Sequence, residues 1–150
     1  MATNVYRKYP GFRNEQWEVP AGTLANTVVI NTEDGRPGFA LTSIAGANAT
    51  NVIGNTTITV TGGAGGVGNA PGAAVVGVEG YDVLLTVAGV TAGETVGTGA
   101  TGTPQGTAVY RLTANPNTIS LTATGGVKIG VIADGNIIGT VAPVSIGVDL

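Results

Sequence analysis

Glu15, Glu18, Glu33, Asp34, Glu79, Asp82, Glu94, Asp134 and Asp149 are the nine acids of a 150-residue chain that contains no histidine and no cysteine. Those two absences remove the commonest general base, every thiol nucleophile and nearly every zinc or redox-metal ligand set. Two carboxylates could still cleave a glycoside if the fold set them on either side of a sugar. Most of these acids, however, stand beside glycine or in turn-forming stretches. The sequence therefore predicts no catalytic centre, no cofactor and no bound metal; an enzyme would need convergent acids with strongly perturbed pKa values.

Three motif-like stretches fit turn chemistry better than ligand binding. Gly63-Ala64-Gly65-Gly66-Val67-Gly68 has the glycine spacing of a dinucleotide loop, and Asp82 lies near the distance of a ribose-binding acid. A helix must begin at the last glycine for its N–H groups to face a pyrophosphate, and here Asn69-Ala70-Pro71-Gly72 leads into the strand-like Ala74-Val75-Val76-Gly77-Val78. Asp134-Gly135-Asn136 and Glu33-Asp34-Gly35 do not continue into the alternating oxygen ligands of a calcium loop. Asn48-Ala49-Thr50 and Asn55-Thr56-Thr57 are formal glycosylation sequons, with little meaning where the N-terminus lacks the apolar run of a secretory signal.

The front of the chain is chemically unlike the rest. Residues 1–17 hold Tyr6, Tyr9, Phe12 and Trp17, more than half the aromatic residues, together with Arg7, Lys8 and Arg13, half the basic ones. Aromatic and arginine side chains bring large contact area with a polar handle, which is why they concentrate in protein interfaces. Pro10-Gly11 interrupts regular structure, so residues 1–17 are expected as an extended arm ahead of a domain spanning 18–150. Tyr6, Arg7, Lys8, Tyr9, Phe12 and Arg13 are the expected partner-binding residues. Trp17 falls in a strand pattern and is expected in the core, with Glu18 facing water.

What must position these residues is a β-structure. Glycine (26 residues) and threonine dominate, and both oppose long helices. Short β-branched runs between turn residues recur from Leu24 onward, predicting strands over 16–19, 24–31, 39–44, 56–61, 74–78, 83–87, 108–112, 119–122, 127–133, 137–141 and 144–148. Asp134-Gly135 between two aliphatic runs predicts a tight hairpin, and Glu33 to Gly38 a looser reversal. The glycine-rich stretches 62–72 and 89–106 read as loops. The fold class is all-β, a compact β-barrel or β-sandwich with an extended N-terminal arm.

Only 10% of residues are charged, against about 25% in ordinary domains. A surface of threonine, asparagine, glycine and alanine suits a protein that works packed into an assembly. The net charge of −3 argues against nucleic acid as a partner of the whole body. Every apolar run is broken short of the ~18–20 residues of a membrane-spanning helix. Synthesis and assembly in a cytoplasm are the expectation.

The C-terminal half, residues 75–150, resembles the head-decoration, or capsid cement, proteins of tailed bacteriophages. The likeness is carried in order by Gly77-Val78-Glu79-Gly80-Tyr81-Asp82-Val83, Ala92-Gly93-Glu94-Thr95-Val96 and Gln105-Gly106-Thr107-Ala108-Val109-Tyr110. It continues with Leu121-Thr122-Ala123-Thr124-Gly125 and Ile129-Gly130-Val131, and closes with Gly139-Thr140-Val141-Ala142-Pro143-Val144-Ser145-Ile146. The resemblance implies a β-rich fold without enzymatic activity on the outer face of an icosahedral shell, often at local three-fold positions, where it resists the pressure of packaged DNA. The partner it implies is the major capsid protein, with the chain itself a homo-oligomer, a trimer, on the virion exterior. The glycine-rich stretch 45–72 and the aromatic arm depart from the family pattern. An adhesive or receptor-binding β-module of a virion surface is the alternative function.

Overall fold

The computed structural model describes residues 4–44, 49–60, 72–96, 102–148 and 150. All the regular structure there is β. The organising strand is β6 (Ala73–Thr86), 14 residues long. It forms because Val75-Val76, Val78 and Val83-Leu84-Leu85 carry the pleat through Glu79-Gly80, which the sequence presents as a break between two strands. Gly80 takes a φ of +76°, a conformation open to glycine. A Cβ at this position would lie 2.7 Å from the Phe12 Cα. The strand therefore runs on through Gly80, and the predicted strands 74–78 and 83–87 are one.

Along its whole length β6 pairs antiparallel with β1 (Val5–Glu18), from Val5 opposite Val83 to Glu18 opposite Ala73. The segment expected as an arm is thus, from Val5, a strand of the sheet. Its Pro10-Gly11 break survives as a bulge: Lys8 faces Tyr81 and Arg13 faces Glu79, leaving Tyr9 to Phe12 looped out opposite Gly80. At Val76, β6 also pairs with Ala40 of β3 (Pro37–Ala40), and at Val83 with Val144 of β12 (Val141–Ile146). β3 and β12 share the edge that β1 leaves open.

From β3 the sheet continues to β2 (Val28–Ile30), and from β12 to β10 (Gly126–Ile132), β8 (Ala108–Leu112) and β9 (Ile119–Ser120). The result is a curled, open half-barrel, neither the closed barrel nor the two-sheet sandwich that were the expected forms. One bridge stitches the far end back: Ala88, just past β6, donates to the Ile119 carbonyl at 2.9 Å and accepts from Leu121 at 3.1 Å. Two small pairs stand apart, β4 (Ala49–Ile53) with β5 (Thr56–Val60), and β7 (Thr95–Val96) with β11 (Gly135–Asn136). β7 lies inside the stretch 89–106 expected as loop, while the expected loop over 62–71 lies outside the described residues.

Side-chain alternation splits the interior in two. Val28 of β2, Phe39 of β3 and Tyr81, Val83 and Leu85 of β6 join Val109, Ile129, Ile132 and Val144 in the main core inside the curl. Their strand neighbours Val29, Ala40, Val76 and Val78 turn the other way and form a second cluster with Trp17 and Ile44. Trp17 is buried, as expected, and Glu18 is exposed. The indole packs on the face opposite the main core.

The hairpin expected at Asp134-Gly135 lies elsewhere. β10 and β12 pair from Gly130 opposite Ile146 to Ile132 opposite Val144, and the tight turn between them is Gly139-Thr140. Ile138 and Val141 exchange both backbone hydrogen bonds at 3.0 Å, and Gly139 has a φ of +61°. A glycine with positive φ at the first central position suits a two-residue hairpin. Asp134 is diverted because its carboxylate is engaged by Arg7. The strand predicted over 24–31 is shortened to Val28–Ile30, since Asn26 has a φ of +69° and its side chain accepts the Asn4 N–H at 3.1 Å. The looser reversal at 33–38 is present, with the Asn31 N–H bonded to the Arg36 carbonyl at 2.8 Å.

Candidate functional site

The six residues expected to bind a partner all lie on β1, and the sheet gathers them around the bulge. Arg7 is registered opposite Asp82. Its guanidinium grips Asp134 through Nη1 and Nη2, the latter also reaching the Asp134 carbonyl at 3.1 Å, and stands 3.7 Å from Asp82. Asp82 is 1% exposed. It accepts the Tyr9 hydroxyl at 2.8 Å and the Ser145 hydroxyl at 2.5 Å. A buried carboxylate with that many donors is satisfied. The cluster pins β1 across β6 to β12 and to the segment after β10.

The other half of the bulge is apolar. Lys8 stands opposite Tyr81 with its ammonium 3.5 Å from the Phe12 ring centroid, and Phe12 meets Tyr81 edge-on at 5.8 Å. Such cation–π and edge-to-face pairs each contribute roughly 0.5–1.5 kcal/mol. The Tyr81 hydroxyl donates to Asn14 at 2.5 Å. Arg13 completes the set, bridging Glu79 at 3.3 Å and Glu15 at 3.4 Å. Glu15 passes the charge on, accepting from Nη1 and Nη2 of Arg36 at 3.2 and 3.1 Å and from the Trp17 indole N–H at 2.8 Å. Arg36 and the indole hold the Glu15 carboxyl below its ordinary range, and Arg7 does the same for Asp134.

What remains outward is aromatic. Tyr6, Tyr9 and Phe12 are each a little over 40% exposed although all three sit on a strand fixed by hydrogen bonds and ion pairs. Among the described residues no group of three metal-ligating side chains forms. The sequence does not reveal the partners that hold β1 in place. Asp134 reads as a turn residue and Ser145 carries no role of its own in the sequence, and only the fold brings them to Arg7 and Asp82. Asp82, set against the glycine-rich loop as a ribose ligand, is committed to Tyr9 and Ser145. No helix of the described residues is long and apolar enough to cross a membrane.

No protein-family model, no curated protein and no solved structure matches this chain.

Proposed function

We propose that the protein is a capsid decoration subunit, bound through the outer face of β1 to the major shell protein of an icosahedral phage head and acting there as a trimer. The observation that carries the reading is the fixed aromatic strand. Tyr6, Tyr9 and Phe12 are presented on a backbone already ordered by Arg7, Asp82 and Asp134. Ordering them on binding would therefore cost little of the usual ~0.5–1.5 kcal/mol per immobilised side chain. The low charge of the surface and the likeness of residues 75–150 to cement proteins support the same reading. A cementing role needs many modest contacts repeated over a lattice, and it needs no reactive group.

The test uses shells assembled without this protein. Because β1 belongs to the sheet, removing it would unfold β6, so side chains are changed and the strand is kept. Tyr6→Ser with Phe12→Ser should lower retention on shells at least about tenfold while the circular dichroism spectrum stays that of the wild type. Equal retention by the folded double variant would exclude β1 as the contact. Copy number separates this reading from an adhesive module, because a cement is present in proportion to shell subunits and an adhesin in few copies.

A further inference from the structure

The curl of the sheet leaves a seam. On one side stands β2, the last strand beyond β3. Ala40 donates to the Thr27 carbonyl and Asn31 donates to the Arg36 carbonyl, so Thr27 and Asn31 turn their backbone groups towards β3. Alternation along the strand directs the N–H and C=O of Val28 and Ile30 the other way. Among the described residues nothing bonds them. On the other side stands the β8–β9 turn with Pro116 and Asn117. Two clefts of about 440 and 630 Å³ share Thr27, Val28, Pro116 and Asn117, and so form one groove along the β2 edge. The Ala88–Ser120 bridge ties the segment after β6 to β9, and the sheet stays open along the groove.

The groove has one charged wall. Arg111 lines it, half-buried, with its Nε donating to the Pro116 carbonyl at 3.0 Å. Arg7, Arg13 and Arg36 each hold a carboxylate; among the described residues Arg111 holds none. Burial lowers the pKa of its guanidinium, the mark of a cation that has lost water without gaining a counter-charge. Its complement is an anion delivered into the groove. The exposed Leu24 and the buried Val28 and Ile119 give the same groove an apolar rim and floor.

We infer that this seam takes an extended segment of another protein, which adds a strand to the free edge of β2 and sets an acidic side chain against Arg111. Backbone pairing to Val28 and Ile30 registers about four residues of the partner. Its alternate side chains meet the apolar floor and its carboxylate fixes the direction. The inference stands apart from the shell reading, since the seam and β1 are different surfaces and either can fail alone.

The probe is the peptide acetyl-Thr-Val-Thr-Val-Glu-Thr-amide, titrated into the uniformly ¹⁵N-labelled full chain and followed by NMR. The expected result is movement of the Val28 and Ile30 amide resonances. A lysine in place of the glutamate should weaken binding about tenfold, one lost charge-assisted contact. N-methylating the backbone nitrogens of the peptide, which keeps every side chain, should abolish binding. In Arg111→Gln the two peptides should bind alike, and the unliganded spectrum of that variant shows directly whether it folds. Unmoved Val28 and Ile30 resonances, equal binding of the acidic and basic peptides to the wild type, or undiminished binding of the N-methylated peptide would overturn the proposal. So would movement of these resonances with protein concentration alone, which would give the seam to a second copy of the chain.

Discussion

Tyr9 donates its phenolic proton to Asp82 across 2.8 Å, so that a half-exposed ring on the outer strand covers a carboxylate that is 1% exposed. Ser145 approaches the same carboxylate from β12, and Arg7 stands behind it at 3.7 Å. Three strands therefore meet at one acid.

Asp82→Ala should lower stability by about 2–4 kcal/mol in urea unfolding, because it strands the Ser145 and Tyr9 hydroxyls together. Tyr9→Phe removes one donor and should cost about 1 kcal/mol. In the double variant the Tyr9 change should lose most of its effect, and additive losses would show that the two residues do not interact.

Gly130→Ala should be among the most damaging single changes in the chain. A Cβ there would lie 1.9 Å from the Ser145 carbonyl oxygen in the neighbouring strand, and backbone cannot give way as a flexible side chain can. A loss of about 3 kcal/mol or more is expected from forced overpacking. Gly11→Ala is the control. Gly11 has a φ of +85° with open space around it, so only the conformational penalty of roughly 1 kcal/mol applies. Thermal unfolding of the two variants should separate them clearly.

Acid should weaken the fold through the carboxylates that arginines hold. Glu15, Asp34 and Asp134 titrate lower in the folded chain than unfolded, through Arg36, Arg36 and Arg7 respectively. Their contribution is full above the ordinary carboxylate range near pH 4 and disappears as pH falls through their depressed folded values. The melting temperature should therefore fall below about pH 4, and less steeply in Arg36→Gln. Trp17, the single tryptophan, donates to Glu15, so its fluorescence should titrate with that acid. A pH-independent emission in the folded range would place the indole elsewhere.

Trp17→Ala should cost about 3–5 kcal/mol, the range for emptying a large aromatic site. The ring is 5% exposed among Val29, Ala40, Val76 and Val78. Trp17→Phe should lose less, and chemical denaturation monitored by circular dichroism measures both.

The strands with strong β-branched runs were legible from sequence. Ala108–Leu112 agrees with its predicted span, and Gly126–Ile132 lies within a residue of it. Errors fell where one glycine has more than one use. Gly80 fell in the gap between two predicted strands and lies inside one, where Phe12 of the β1 bulge crosses close over it from a distant part of the chain. Asp134-Gly135 has ideal turn chemistry, yet the turn is Gly139-Thr140 once Arg7 claims Asp134. β1 read as an arm and is a strand from Val5, because its alternation is weak and its pairing partners lie 55 (Glu18 with Ala73) to 78 (Val5 with Val83) residues away in sequence. Side-chain chemistry marked Tyr6 to Arg13 as a unit. Asp82, Asp134 and Ser145 could be found only from the fold.

β6 holds β1 on one edge and β3 and β12 on the other, and this ties β1 to a partner made long after it. Residues 5–18 are made before β6, and they have no template until residue 86 has emerged. Closing so long a loop makes folding slow. In that interval Tyr6, Tyr9, Phe12 and Trp17 have no strand to lie against, so an aromatic stretch stays exposed until its partner is made.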